Sequence, residues 1–255
     1  MHVSNLFEPM HKRDSHLVTE DSVCRTGTFD KPVQTKRAER TVTMMNFDNF
    51  EMRKQQLEDC ICDWNYIKNH VFLCVQKQNT GDILKKHYLN FEVCMKVLLP
   101  SDEREARISL TVTESFRKSM GVMEAKLWKI AELNTKYRFR TRKLSEMFPF
   151  PFDDESGLYV VTTETGWDGA TALLFNEVFR QFCLEHEILE CYILPSSTHE
   201  VLVLGENDVS EEQLQTLPQM VRDINASCVD EEIQMDPVVY RYNLMEDRIV
   251  IAAEV

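Results

Sequence analysis

Glycine and proline are scarce in this chain, which has 7 glycines and 8 prolines among 255 residues. Collagen-like and linker-rich proteins contain far more of both residues, so these two classes are excluded. Apolar residues make up 43% of the sequence, which is an ordinary share for a globular protein. The composition therefore predicts a folded chain with a sizeable core, in one large domain or two small ones.

Long apolar runs are also missing. None approaches the roughly 20 residues that cross a bilayer, and the N-terminus has no basic stretch followed by an apolar one. Most of the 8 cysteines lie inside apolar runs, as Cys74 and Cys183 do, which is typical of small buried side chains in a reducing compartment. We therefore expect a cytoplasmic protein that does not contact the membrane.

Signatures of cofactor and metal sites are absent as well. The sequence has neither the Gly-x-x-x-x-Gly-Lys nor the Gly-x-Gly-x-x-Gly pattern of phosphate-binding loops. Cys60-Ile-Cys62 does not have the Cys-x-x-Cys spacing of zinc and thioredoxin sites, and residues two apart on a helix point away from each other. We expect no cofactor and no bound metal.

Lysine is absent from residues 149–255, where 4 arginines stand against 22 acidic residues, a net charge of −18. Residues 45–148 carry a net charge of +4 and residues 1–44 a net charge of +1. We predict a basic α+β half at 45–148 and an acidic α+β half at 149–255. Residues 1–44 show no sustained hydrophobic period and are predicted to be a mobile, disordered leader. Met1, Met44 and Met45 are all candidate starts of the protein.

The acidic half bears on the choice of partner. Contacts to nucleic-acid phosphates need Lys or Arg, so we do not expect this half to bind nucleic acid. An acidic surface can face a basic protein partner, the basic middle of its own chain, or only solvent.

Hydrophobic periodicity predicts an α+β fold. Strands are predicted at 70–76, 91–99, 106–113 and 158–163, and a final hairpin pairs 237–242 with 248–252. A helix is predicted at 122–134, and Ser210 with Gln213 forms a capping box that begins another. Hairpins interleaved with helices favour antiparallel or mixed sheets built from hairpin-plus-helix units. Such units recur at 91–135 and 187–226. The recurrence has two equally good explanations. The chain has two similar halves that arose by an old duplication, or units of this kind are simply common in proteins.

A serine, a histidine and a carboxylate crowd together in the segment 191–204, at Ser196, Ser197, His199 and Glu200. On a strand, Ser197 and His199 share a face, whereas Glu200 points to the opposite face and cannot orient the histidine. The Gly-x-Ser-x-Gly motif of hydrolases is absent. The favoured interpretation is a turn whose hydroxyls bond the backbone. A hydrolase using Ser196 or Ser197 with His199 is the alternative.

A basic run that alternates with aromatic residues lies at 136–143, near the end of the predicted basic half. Its cations are candidates for weak nucleic-acid contacts. These candidate residues are Lys136, Arg138, Arg140, Arg142 and Lys143. The same run is typical of a solvated strand edge that charge protects from aggregation, and we favour that interpretation.

Three stretches resemble a domain family of unknown function from clostridia and other anaerobic Gram-positive bacteria. They are Gly157-Leu-Tyr-Val-Val-Thr-Thr163, the Gly169-Ala170 step, and Tyr192-Ile-Leu-Pro-Ser-Ser-Thr-His-Glu-Val201. The resemblance extends over roughly residues 65–255. It implies no activity, and the frequent association of such genes with mobile elements leaves an inhibitor or regulator role open. Because the sequence shows no assembled catalytic or cofactor set, the leading hypothesis is a non-catalytic binding or regulatory module that acts on a protein partner.

Overall fold

The computed structural model describes residues 52–77, 82–101, 108–147 and 157–254. The predicted leader at 1–44 and the predicted boundary between residues 148 and 149 lie outside these residues. The chain divides into two compact units, 1–63 and 64–255. The described part of the first unit is mainly a helix, α1, at 52–62.

The second unit contains a four-stranded antiparallel sheet. Its strands are β1 (Val71–Gln76), β2 (Lys85–Tyr88), β3 (Phe91–Leu99) and β4 (Ile108–Thr111). The strand β3 lies in the middle, because β1 pairs along one side while β2 and β4 follow one another along the other side. The Lys-Lys-His-Tyr sequence of β2 has little apolar character, and the sequence did not predict this strand.

A six-stranded antiparallel sheet follows. Its strands are β5 (Phe139–Lys143), β6 (Tyr159–Thr163), β7 (Glu190–Leu194), β8 (Val201–Gly205), β9 (Val238–Asn243) and β10 (Arg248–Glu254). They are ordered β10-β9-β7-β8-β6-β5, so β10 and β5 are the two edges. The predicted final hairpin is confirmed as β9 and β10.

The helices of this unit are α2 (Trp64–His70), α3 (Glu114–Ser119), α4 (Glu124–Thr135), α5 (Asn176–Glu185) and α6 (Glu211–Cys228). Helix α6 begins with the predicted capping box. Ser210 Oγ accepts a hydrogen bond from the Gln213 backbone N–H at 3.2 Å, and Gln213 Oε1 accepts one from the Ser210 N–H at 2.8 Å. A 3₁₀ segment, Gly169–Leu174, is buried from Gly169 to Leu173.

One hydrophobic core is shared by the two sheets. It includes Met95 and Leu127 from the basic half and Ala172, Ile193 and Tyr240 from the acidic half. The α+β class with antiparallel sheets is confirmed, and both predicted hairpin-plus-helix units are present as β3–β4 with α4 and β7–β8 with α6. Their origin by duplication stays a prediction. So does the division into a basic and an acidic domain.

Candidate functional site

The loop at 195–200 connects β7 to β8 and is largely buried. Ser196, Ser197 and Thr198 are only 8%, 6% and 8% exposed. The segment after α6 holds one side of the loop, since the Thr198 N–H donates to the Ile233 carbonyl at 2.8 Å and Ser197 forms an isolated bridge with Gln234. Burial of this backbone is possible because its polar groups find partners inside the protein.

The other side of the 195–200 loop is held by Gly169 and Ala170. The Gly169 N–H donates to the His199 carbonyl at 2.9 Å, and the Ala170 N–H donates to the Thr198 carbonyl at 3.2 Å. The Thr162 hydroxyl also donates to the His199 carbonyl, at 2.7 Å. A Cβ on Gly169 would lie 2.3 Å from that carbonyl oxygen and 2.6 Å from Thr162 Cα. Only glycine fits this position, because both clashing atoms belong to backbone.

The two serines of the loop have different environments. Ser197 Oγ accepts a hydrogen bond from the His199 backbone N–H at 3.1 Å, in agreement with the predicted turn in which hydroxyls bond the backbone. Ser196 Oγ is buried and has no hydrogen-bond partner within the part of the chain that the structure describes. Among the described residues, the Ser197 hydroxyl therefore stabilises the loop through a hydrogen bond to its backbone, whereas the Ser196 hydroxyl forms no hydrogen bond.

The His199 ring contacts the turn that precedes Gly169. Nδ1 accepts a hydrogen bond from the Asp168 backbone N–H at 3.4 Å, and the ring lies edge-on to that of Trp167 with centroids 4.4 Å apart. An Nδ1 that accepts from an N–H leaves the ring proton of the neutral imidazole on Nε2. A triad histidine has the opposite arrangement, with Nδ1 donating to a carboxylate and Nε2 accepting the serine proton. Glu200 is half-buried and immediately precedes β8.

Asp168 is the residue of this region that sequence reasoning missed. It is buried, adopts a left-handed backbone conformation with φ 55°, and lies with Oδ1 3.7 Å from Lys96 Nζ of the four-stranded sheet. Residues held in that conformation often mark functional sites. Nothing in the sequence indicates that Asp168 contacts a histidine 31 positions away.

Two buried thiols face each other on β1 and β3. Cys74 and Cys94 are directly opposed, with Sγ atoms 3.1 Å apart. The hydrogen bond with Cys94, followed by burial, holds the pKa of Cys74 well above its usual range. A raised pKa keeps the thiol protonated and unreactive. The prediction that Cys74 and Cys183 are small buried side chains is confirmed.

The basic run extends from the end of α4 into the strand β5. Lys136 follows α4, and its Nζ lies 2.5 Å from Glu177 Oε1. That hydrogen bond raises the pKa of Lys136 and lowers the pKa of Glu177. The Arg138 guanidinium lies 4.1 Å from the ring centroid of Phe72.

The rest of the run forms β5, an edge of the six-stranded sheet. Arg140 forms an ion pair with Glu164, and the Arg142 side chain is exposed. Lys143 ends the strand. Nucleic-acid binding by this run stays a prediction. Its position agrees with the favoured interpretation of an edge protected by charge.

A groove lies beside the basic run, formed by two neighbouring cavities of about 330 and 260 Å³ that share Tyr88, Glu132, Leu174 and Phe175. Two of its cations are already paired with carboxylates, Lys136 with Glu177 and Arg180 with Asp247. Over the described ranges, no group of three or more His, Cys, Asp or Glu side chains is arranged to hold a metal ion. None of the described helices is long and apolar enough to cross a membrane.

The model of a protein family, described as "Family of unknown function (DUF5688)", matches residues 29–244. The match covers most of the chain, so the chain belongs to this family. No curated protein and no solved structure matches. The occurrence of the family in clostridia, and the motif at 192–201 as its hallmark, stay predictions.

Proposed function

We propose that this member of the family of unknown function DUF5688 is a binding or regulatory module that acts on a protein partner without catalysis. The observation that carries the proposal is an exposed acidic surface around helix α6. It comprises Asp208, Glu211, Glu212, Asp223, Asp230, Glu231 and Glu232.

Few basic residues of the chain neutralise the carboxylates of the acidic surface. Arg222 is the one basic residue between positions 208 and 232, and it is exposed on α6. Across the described residues, the ion pairs of the protein involve carboxylates elsewhere, such as Glu177, Glu190 and Asp247. The charge of this surface is therefore available to a partner.

A surface of one sign attracts a partner of the opposite sign over a distance of about one Debye length, which is about 8 Å at physiological salt. Such complementarity raises the association rate and excludes partners of like charge. The partner class that fits is a protein with a basic surface, because nucleic acid and anionic lipid are repelled.

The geometry of the 195–200 loop supports a role without catalysis. The Ser197 hydroxyl accepts from the backbone, and His199 Nδ1 accepts from the Asp168 N–H. Both groups thus take part in holding the loop, in an arrangement that differs from a nucleophile and its base.

The test is capture of partners by the immobilised full chain from a lysate of its native host at physiological salt. In the variant Glu211→Lys/Glu212→Lys we expect loss of those partners that wild type retains, because the charge at the start of α6 is reversed. The matched control is Glu185→Lys/Glu187→Lys, which makes the same change in net charge at two other exposed positions. Equal capture by both variants, or no partner with wild type, would contradict the proposal.

A hydrolase remains the second candidate, favoured by the unbonded Ser196 hydroxyl in the same loop as His199. A fluorophosphonate probe that labels wild type, but neither Ser196→Ala nor His199→Ala, would establish it. Labelling that is unchanged in both variants, or absent from wild type, would exclude it.

A further inference from the structure

The edge strand β10 carries an apolar centre, Ile249-Val-Ile-Ala-Ala253, and Ile251 is 40% exposed. Its ladder partner is β9. Across residues 52–77, 82–101, 108–147 and 157–254, no other segment forms backbone hydrogen bonds with β10. Unpaired N–H and C=O groups on an apolar edge are a template for another strand.

The charges at the ends of β10 indicate which strand fits. Arg248, whose exposed guanidinium also forms an ion pair with Glu246 of its own chain, begins the strand and Glu254 ends it, and Ile251 is equally distant from both. If two copies of β10 pair antiparallel around Ile251, Arg248 of each copy faces Glu254 of the other. The pairing also places Val250 opposite Ala252 and the two Ile251 side chains beside each other. The strand is therefore complementary to itself in one register.

We propose that β10 pairs antiparallel with β10 of a second copy, so that the two six-stranded sheets become continuous across a twofold axis at Ile251. Opposite charges that face each other across strands stabilise the register, as does burial of the apolar centre. A symmetric contact of this kind closes on itself and does not propagate into a fibre.

A bulge in β10 also favours pairing with a second copy over pairing with other strands. The register with β9 shifts between Ile251 and Ala253, which leaves Ala252 without a partner on that side. A bulge increases the local twist of a strand and discourages pairing with unrelated flat strands. A second copy has the same bulge at the symmetric position, so its twist matches.

The contact is limited to one short strand on each copy, so we expect a weak dimer that dissociates on dilution. Sedimentation velocity of the full chain, over about a hundredfold range of concentration in the micromolar regime, measures this equilibrium. Ile251→Lys places two ammonium groups together at the axis, and we expect the dimer to be lost over the whole range. The control is Met245→Lys, in the turn between β9 and β10, where the side chain is 80% exposed and lies outside the proposed contact.

A charge swap tests the register itself and does not depend on the apolar centre. Arg248→Glu and Glu254→Arg each place like charges opposite one another twice in the dimer, and we expect each to weaken association by about tenfold. Together they restore opposite charges, so the double variant is expected to dimerise nearly as well as wild type. A wild-type chain that stays monomeric, a dimer insensitive to Ile251→Lys, or a double variant as weak as the singles would each overturn the proposal.

Discussion

The 195–200 loop connects two strands of the six-stranded sheet, and β10 is an edge strand of the same sheet. The two segments differ in where their backbone N–H and C=O groups form hydrogen bonds. The loop is buried and forms hydrogen bonds on both sides. On one side Gly169, Ala170 and Thr162 donate to its carbonyl groups, and on the other the Ile233 carbonyl accepts from the Thr198 N–H. The strand β10 is paired with β9 along one side and is open along the other. A segment whose polar groups are satisfied internally serves the fold, whereas a segment with open groups is available to a partner.

The difference between the loop and β10 can be tested by mutation, and we expect the largest change in the free energy of unfolding at Gly169. The variant Gly169→Ala brings a methyl group within 2.3 Å of the His199 carbonyl oxygen, so the loop must move away from its partners. We expect the free energy of unfolding, measured by urea denaturation, to fall by about 3 kcal/mol.

The matched control is Gly166→Ala, in the same turn. Gly166, unlike Gly169, has a positive φ, of 76°, and nothing lies within 4 Å of its added Cβ. Its cost should be limited to backbone strain, about 1 kcal/mol. Equal losses in the two variants would show that the close approach at Gly169 does not stabilise the loop.

Substitution of the two neighbouring serines by alanine should give the next largest changes in the free energy of unfolding, and we expect the two changes to differ in sign. In Ser197→Ala the half-buried His199 N–H loses its acceptor, and we expect the free energy of unfolding to fall by about 1 kcal/mol. In Ser196→Ala an unbonded buried hydroxyl is removed, so we expect no loss or a gain of up to about 1 kcal/mol. The two urea curves check this sign directly, and a loss in Ser196→Ala would indicate that its hydroxyl has a partner in solution.

The smallest effect on stability is expected at β10. The Ile251 side chain is already 40% exposed, so Ile251→Lys should change the unfolding free energy of the monomer by no more than about 0.5 kcal/mol. The measurement is urea denaturation at a concentration where wild type is monomeric. A large loss there would mean that β10 resembles the loop and serves the fold.

Local patterns in the sequence predicted the elements whose cause is local. The capping box at Ser210 and the strands predicted at 91–99 and 237–242 depend on neighbours along the chain, and they are confirmed as the start of α6, as β3 and as β9. The strand β2 and the short helix α3 were missed. The polar sequence of β2 forms a strand because β3 offers it backbone partners, which is a tertiary effect.

The site shows the same limit. The sequence indicated that the hydroxyls of the 195–200 loop bond the backbone, and Ser197 does so. It did not indicate the contact of Asp168 with His199 and Lys96, since these three residues come from separate parts of the chain. Contacts of that kind depend on how the two sheets pack, and periodicity carries no information about them.

By itself, the sequence determined the fold class, the cap of α6 and the concentration of negative charge after residue 148, because each follows from residue type and spacing. The tertiary structure alone decided that Gly169 must lack a side chain, that the Ser197 hydroxyl is used and that of Ser196 is not, and that β10 is an edge. These properties depend on distances between segments far apart in the chain, which are set only when the two sheets close on their common core.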